Sequence, residues 1–521
     1  MCGKKLPSTR RLVASVDTEY LKSIIHHSNQ NNHNSMRYLK LLTSKSFFPA
    51  VILPILSFSA ISMAGEMGPS HSDSEAVTED TIAGHPVLEN ISSEPGIVEV
   101  ELTASKERIS LVPGIETDVY AYNGRVPGPL LEASEGDSVI IHFKNNLPEK
   151  TTVHWHGIHL PFVMDGSPFH PVEPGETFTY TFRIHEGTAG TYWYHPHPHH
   201  HTAWQVGMGL YGGIIIRDPD DPLPDTLTEH LLILSDNRFD EDGEIEFAEP
   251  GSRQERVDDM NGREGDVLFV NDGIMPELSI QSGETQRWRI VNASGARIYR
   301  LALDGHTFTH IGSDGGLFER PKEVDEIILS NGERAELLVH GTGDPGSEIT
   351  LQDLPYDRYM PMFRPSNWDE KNDLLTLRYT DESSVQEPFE MPESLRKIPE
   401  LNVDDVTETR VMRMSNGKIN SKTMDMNRVD ETAELGATEI WDIRNLVGMD
   451  HPFHLHGFQF QVIDRNGEPV SQRKWEDTVN VPGFESARFI VRYDNYPGKW
   501  MFHCHILDHE DQGMMGVLEV K

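Results

Sequence analysis

The chain has 521 residues, with 83 acidic against 45 basic side chains and a formal charge of −38. That balance excludes nucleic acid and anionic membrane surfaces as general partners, and reads as a solubility feature. The length predicts several domains, and 42 Gly with 33 Pro suit a turn-rich β protein.

Residues 47–64 read FFPAVILPILSFSAISMA and follow Met36, Arg37, Lys40 and Lys45. A basic stretch, an apolar run and small residues at Ser62-Met63-Ala64 make a secretory signal with its cleavage site. The run is short and Pro-broken for a membrane span, so no stable span is expected once it is removed. Residues 1–64 are therefore taken as an N-terminal extension plus signal, with Met36 as the expected start. Arg10-Arg11 is a weak twin-arginine signal, because the apolar run begins too far downstream. Eight basic and two acidic residues lie in 1–64, so the remainder carries −44. Cys504 is then the only cysteine, which leaves no disulfide framework despite a periplasmic or secreted location. A lone exported thiol is a liability unless a metal occupies it.

Residues 65–95 are polar and acidic and read as a linker. From Ile97 onward, short alternating runs such as SVIIHF (138–143) and TFTYTF (177–182) are broken by Gly, Pro, Asn and Asp. This is an all-β pattern without clear helical periodicity. It repeats. Gly136, Gly283 and Gly436 each lie nine residues before an asparagine: Asn145, Asn292 and Asn445. The spacing predicts three β-sandwich domains at about 96–220, 221–382 and 399–521, with 383–398 as a Pro/Glu-rich linker.

Nine residues beyond Asn145 and Asn445 stand His154 and His454, but beyond Asn292 stands Leu301. The middle domain is therefore expected to bind no metal and to act as a spacer. Gly190 precedes His195 by five residues, as Gly498 precedes His503. His195-Pro196-His197 thus corresponds to His503-Cys504-His505, with proline in place of the cysteine. Four H-x-H pairs result: His154/His156, His195/His197, His454/His456 and His503/His505. Residues i and i+2 of a strand share a face, so each pair presents two imidazoles to one place. Eight neutral imidazoles suit a copper cluster between the first and third domains. Cys504 points the other way, and with His509 and Met514 it supplies three ligands of a soft, trigonal copper site. The second histidine of that site comes from elsewhere.

The motifs HWHG (154–157), WYHPH (193–197), HPFHLHG (451–457) and HCHILDHEDQGMMG (503–516), in this order, resemble those of three-domain multicopper oxidases of the bacterial copper-efflux-oxidase and laccase type. The resemblance implies three cupredoxin-like Greek-key β-sandwiches. It implies four copper ions: one type 1, one type 2 and a type 3 pair. His451, Cys504, His509 and Met514 match the type 1 ligands, and His154 and His454 the type 2 ligands. His156, His195, His197, His456, His503 and His505 match those of the type 3 pair. Asp165 and Glu510 match acids that deliver protons to bound oxygen, whose reduction to two waters consumes four of them. The implied activity is four one-electron oxidations of a reductant coupled to reduction of O₂. That reductant is a phenol or aromatic amine, or a metal ion such as Cu(I); the dense methionine-rich insert of some relatives is absent. The competing function is an exported, non-catalytic copper-binding or scaffold protein of the same fold. A monomer is expected.

Two other features read as structural. Asp240, Asp242, Gly243 and Glu249 partly fit a calcium loop, but Arg238 holds the first ligand position, so an acidic turn is expected. Met412, Met414 and Met449 are among methionines that suit core packing.

Overall fold

The structure, a computed structural model, describes residues 85–360, 362–380 and 390–521. The secretory signal, residues 65–84 of the acidic linker and residues 383–389 of the second linker lie outside the described residues.

Alternation in the sequence becomes two-faced strands. In Ser138–Asn146 the buried positions are Val139, Ile141, Phe143 and Asn145. Opposite them in Thr177–Arg183 stand Phe182, Tyr180 and Phe178, in antiparallel register. Such pairs build six sheets that form three pairs. The first pair joins the four-stranded sheet around Ile97–Val112 to the sheet ordered Gly128–Ser134, Gly212–Arg217, Gly190–His195, His154–His156. The second and third each combine a six-stranded with a five-stranded sheet. Separate hydrophobic cores fill the three, one around Trp155 and Tyr180, one around Trp288 and Leu301, one around Trp441 and Phe489.

One arrangement recurs three times. Ile97–Val112 runs parallel to Ser138–Asn146, Thr228–Asn237 to Thr285–Asn292, and Val406–Ser415 to Thr438–Asn445. The repeated asparagines stand at the end of the second strand of each pair, or one residue before it for Asn145, and the geometry explains them. Each Oδ1 accepts from the backbone N–H two residues on, at Leu147, Ser294 and Val447. Each Nδ2 donates to carbonyls across the corner: Glu149 and Val172, Arg297 and Leu329, and Met449, Val481 and Pro482. A short side chain that both accepts and donates is needed here, and asparagine supplies it. In the third sandwich the corner fixes the carbonyl two residues before His451.

Asn445→Ala removes the amide donor shared by the Met449 and Val481 carbonyls, and although Met449 O keeps its bond from His451 Nδ1 the loss costs about 1–3 kcal/mol. Guanidinium unfolding should show that loss in Asn445→Ala and in Asn292→Ala alike. Only Asn445→Ala should also alter the visible copper spectrum, since only its corner leads to a proposed ligand; an unaltered spectrum would contradict the positioning role.

Candidate metal centres

The four histidine pairs meet at one place. His154–His156 pairs with Gly190–His195 so that His154 faces His195. His451–Leu455 pairs with Gly498–Cys504 so that His454 faces His503. The two sandwiches thus present the same motif in the same register, as the repeat predicts. All eight rings are buried, and their ligand atoms gather as His156/His195/His505, His197/His456/His503, and the pair His154/His454 beside His156.

Six of the eight rings are held from outside and open towards the inside. His154 Nδ1 donates to Asp165 O at 2.8 Å and His454 Nδ1 to Asp477 O at 2.8 Å. His195 Nδ1 donates to Pro196 O and His503 Nδ1 to Cys504 O. His456 Nδ1 donates to Asp165 Oδ2 at 3.0 Å, and His156 uses its other nitrogen, Nε2, on Asp477 Oδ1 at 2.9 Å. These bonds select the tautomer and aim the remaining lone pair inward. The Nε2 atoms of His154, His195 and His454 are buried without a partner. His503 Nε2 lies 2.9 Å from His456 Nε2 and 3.2 Å from His197 Nε2, and His156 Nδ1 lies 3.3 Å from His505 Nε2.

Converging lone pairs repel unless a proton or a cation lies between them. Burial, reinforced by the neighbouring rings, pushes His156, His195, His197, His454, His456 and His505 far below the ordinary imidazole range, and burial lowers His503 to about 3. Protons are disfavoured there. The neutral imidazole is the metal-ligating form, and an all-nitrogen set fits copper.

The other group is His451, Cys504 and His509. Cys504 Sγ lies 3.7 Å from His509 Nδ1, and the two imidazole centroids are 5.2 Å apart. Met514 is fully buried and tied to both neighbours: its N–H donates to His509 O, and its carbonyl accepts from Cys504 N. Burial pushes the Cys504 thiol up to about 12, so the thiolate needs a cation beside it. Cys504 stands between His503 and His505 in the chain, so a covalent path joins the two centres. His509 is 4% exposed, and its Nε2 lies 3.3 Å from Met260 O at the end of the helix Arg253–Asn261.

Asp165 and Glu510 both sit at the histidine cluster. Asp165 is buried, and besides its bonds to His154 and His456 its Oδ1 has no hydrogen-bond partner. Glu510 is fully buried, with oxygens 3.4 Å from His197 Nδ1 and 3.3 Å from His503 Nδ1. Neither oxygen makes a hydrogen bond. Burial, then the nearby Asp511, pushes the Glu510 carboxyl well above its usual range, towards the protonated form. Asp511 caps the helix Thr202–Gly207 through the N–H groups of Thr202 and Ala203. The adjoining histidines serve that junction: His200 Nδ1 bonds Asp511 O, and His201 pairs with Glu149. The stretch at 240–244 is a turn closed by Asp240 Oδ1, as expected. Met412, Met414 and Met449 lie in the third core.

Sequence reading missed the outer supports. Asp477 holds His156 through its side chain and His454 through its carbonyl, and is itself paired with Arg334. Arg334 comes from the middle sandwich and is fully buried; its N–H and guanidinium also engage Asp314. Asn331 donates to His505 O. Gly332 has φ +89°, and a Cβ there would stand 2.9 Å from His505 Cδ2. The middle segment supplies no ligand to these groups, yet it holds three of the rings. A charge placed in an apolar strand, as in Glu-Asp-Thr-Val-Asn-Val (476–481), is the only local signal for this.

Three models of the multicopper oxidase family match residues 103–221, 242–347 and 396–521. The multicopper oxidase mco of Staphylococcus haemolyticus is 32% identical over 444 residues, covering 83% of this chain and 91% of the relative. The chain belongs to the multicopper oxidase family. A Campylobacter jejuni structure described as "a metallo-oxidase" is 36% identical with a TM-score of 0.76, covering 84% of this chain and 94% of that one. The cell division protein FtsP of Xenorhabdus nematophila is 30% identical, over 84% of this chain and 91% of its own length. As a multicopper oxidase, the protein is a copper-dependent oxidoreductase with cupredoxin-like sandwiches, coupling oxidation of a reductant to reduction of O₂.

Gly332→Ala forces a left-handed backbone onto alanine and a methyl against His505. It should lower copper occupancy of the histidine cluster while sparing the blue band of the Cys504 site, read by copper analysis and absorbance together. Arg334→Leu leaves Asp477 buried without its partner and should cost about 3–5 kcal/mol in unfolding.

Proposed function

We propose that the reductant is a metal ion, and that the chain acts as an exported, monomeric metallo-oxidase. The observation that carries this is the closure over His509. With its ring buried and its Nε2 at the Met260 carbonyl, no open imidazole face remains for an aromatic substrate to lie on. A metal ion needs only surface donors. The same helix offers the exposed Asp259 carboxylate and Met260, whose side chain is 38% exposed. A charge of −38 concentrates cations around the molecule. The description of the Campylobacter relative agrees.

The grouping of the donor atoms supports the ligand roles. We assign His451, Cys504, His509 and Met514 to type 1 copper, His154 and His454 to type 2, and the two histidine triads to the type 3 pair. Copper bound in these sets supplies the one-electron chemistry and the reduction of O₂. The chain's own residues do the rest. Asp165 fixes His154 and His456; Asp477 fixes His156 and His454. Glu510 holds a proton beside His197 and His503, where oxygen reduction consumes protons.

Export rests on the sequence of 47–64, with a periplasmic or secreted location. Among the described residues no helix is long and apolar enough to cross a membrane. One chain contains both centres, which supports a monomer. We take the domain limits as 96–220, 221–382 and 399–521; the three separate cores support a three-domain division.

Oxygen uptake on Fe(II), Cu(I) and a dimethoxyphenol tests the reductant. Asp259→Asn/Met260→Leu should lower kcat/KM for a metal ion by about tenfold and spare the phenol. A phenol preferred over both ions by the parent protein would contradict the reading. Glu510→Gln should leave anaerobic bleaching of the blue band fast and slow its return with O₂, by roughly a hundredfold in stopped flow.

A further inference from the structure

A cavity of 630 Å³ opens between the first and third sandwiches, apart from the Cys504 site. Its wall carries Arg183, Arg396, Lys397 and Arg492 against two carboxylates, Glu186 and Asp494. In a chain with nearly twice as many acidic as basic residues, this is a local reversal of charge.

The cations are not all neutralised by their neighbours. Arg492 pairs with Asp494 at 2.9 Å. Arg396 is held by backbone carbonyls, those of Gly315 and Gly187, and has no carboxylate partner among the described residues. Arg183 and Lys397 are exposed and make no ion pair among the described residues. Arg396 is thereby fixed in place, and the exposed Arg183 and Lys397 line the same wall.

The cavity also has a polar floor. His159 bonds the Gly457 carbonyl through Nδ1, and Asn495 Nδ2 lies 3.3 Å from His159 Nε2. Gln459 Nε2 reaches Tyr192 OH at 3.3 Å. Gly157 and Gly457 directly follow His156 and His456, so the floor backs onto the histidine cluster.

We infer that this cavity binds a compact multivalent oxyanion, either inorganic phosphate or a di- or tricarboxylate. Its volume far exceeds a halide. Several cations around one space reward charge concentrated on one small ligand, and amide and guanidinium N–H groups are donors matched to oxyanions. The inference concerns this chain's side chains alone and does not depend on which reductant the enzyme uses.

The test is calorimetric titration of the holoenzyme with phosphate and, separately, citrate, each at constant ionic strength set with chloride. One saturable site per chain is expected, weakening as ionic strength rises. Arg183→Gln/Lys397→Gln should weaken it at least tenfold while leaving the blue band and unfolding midpoint unchanged, since both side chains are exposed. Saturable binding of phosphate alone assigns an inorganic ligand; of citrate alone, a polycarboxylate. Absence of saturable heat with both anions overturns the proposal. So does unchanged affinity in the double variant, which would place the anion elsewhere, including on copper.

Discussion

Eight imidazoles are buried together, six of them with one nitrogen fixed by a hydrogen bond and the other turned inward, and the rest of the structure depends on that constraint. Each buried polar atom without a partner costs about 1–3 kcal/mol. Three Nε2 atoms stand wholly unpartnered, and others face one another at 2.9–3.3 Å. A buried thiol adds a group whose ligating form is disfavoured without a cation. The polypeptide alone does not offset this arrangement; a bound cation does, so copper loading and stability are linked. The complete donor set also separates this chain from a purely structural role on the same fold.

The middle sandwich shows how far such a constraint reaches. It contributes none of the gathered histidines, because Leu301 stands at the equivalent position and lies in the hydrophobic core. It nevertheless sends Asn331, Gly332 and Arg334 to the cluster's edge. Arg334 and Asp477 form a buried pair that by itself adds little net stability. Its consequence is positional: Asp477 is locked, and through it His156 and His454. The spacer expected from the sequence is thus also a clamp.

What was legible in the sequence follows from periodicity. A strand's two-residue period puts both members of each H-x-H pair on one face and sends Cys504 to the other, so His503 and His505 join the cluster while Cys504 joins His451 and His509. The Gly-to-Asn spacing marks three equivalent corners, each closed by the same asparagine hydrogen bonds. Asp165 and Glu510 stood beside ligand motifs and do lie at the cluster. The remainder is long-range. Asp477 reaches His156 across 321 positions of chain, and no local pattern encodes that distance. The helix Arg253–Asn261 closes over His509 from the middle segment, and its weak amphipathicity gave no warning of it. Asp165 was read for proton delivery alone, yet its carbonyl and carboxylate also orient two rings.

The account's central claim is that two structurally distinct centres share one strand. Copper analysis with visible spectroscopy on the purified protein and its Cys504→Ser variant tests this most directly. The parent protein should hold about four coppers and be blue. The serine variant should lose the blue band and about one copper, keeping those of the histidine cluster. A variant that stays blue, or one that loses all its copper together, would contradict the separation of the two centres.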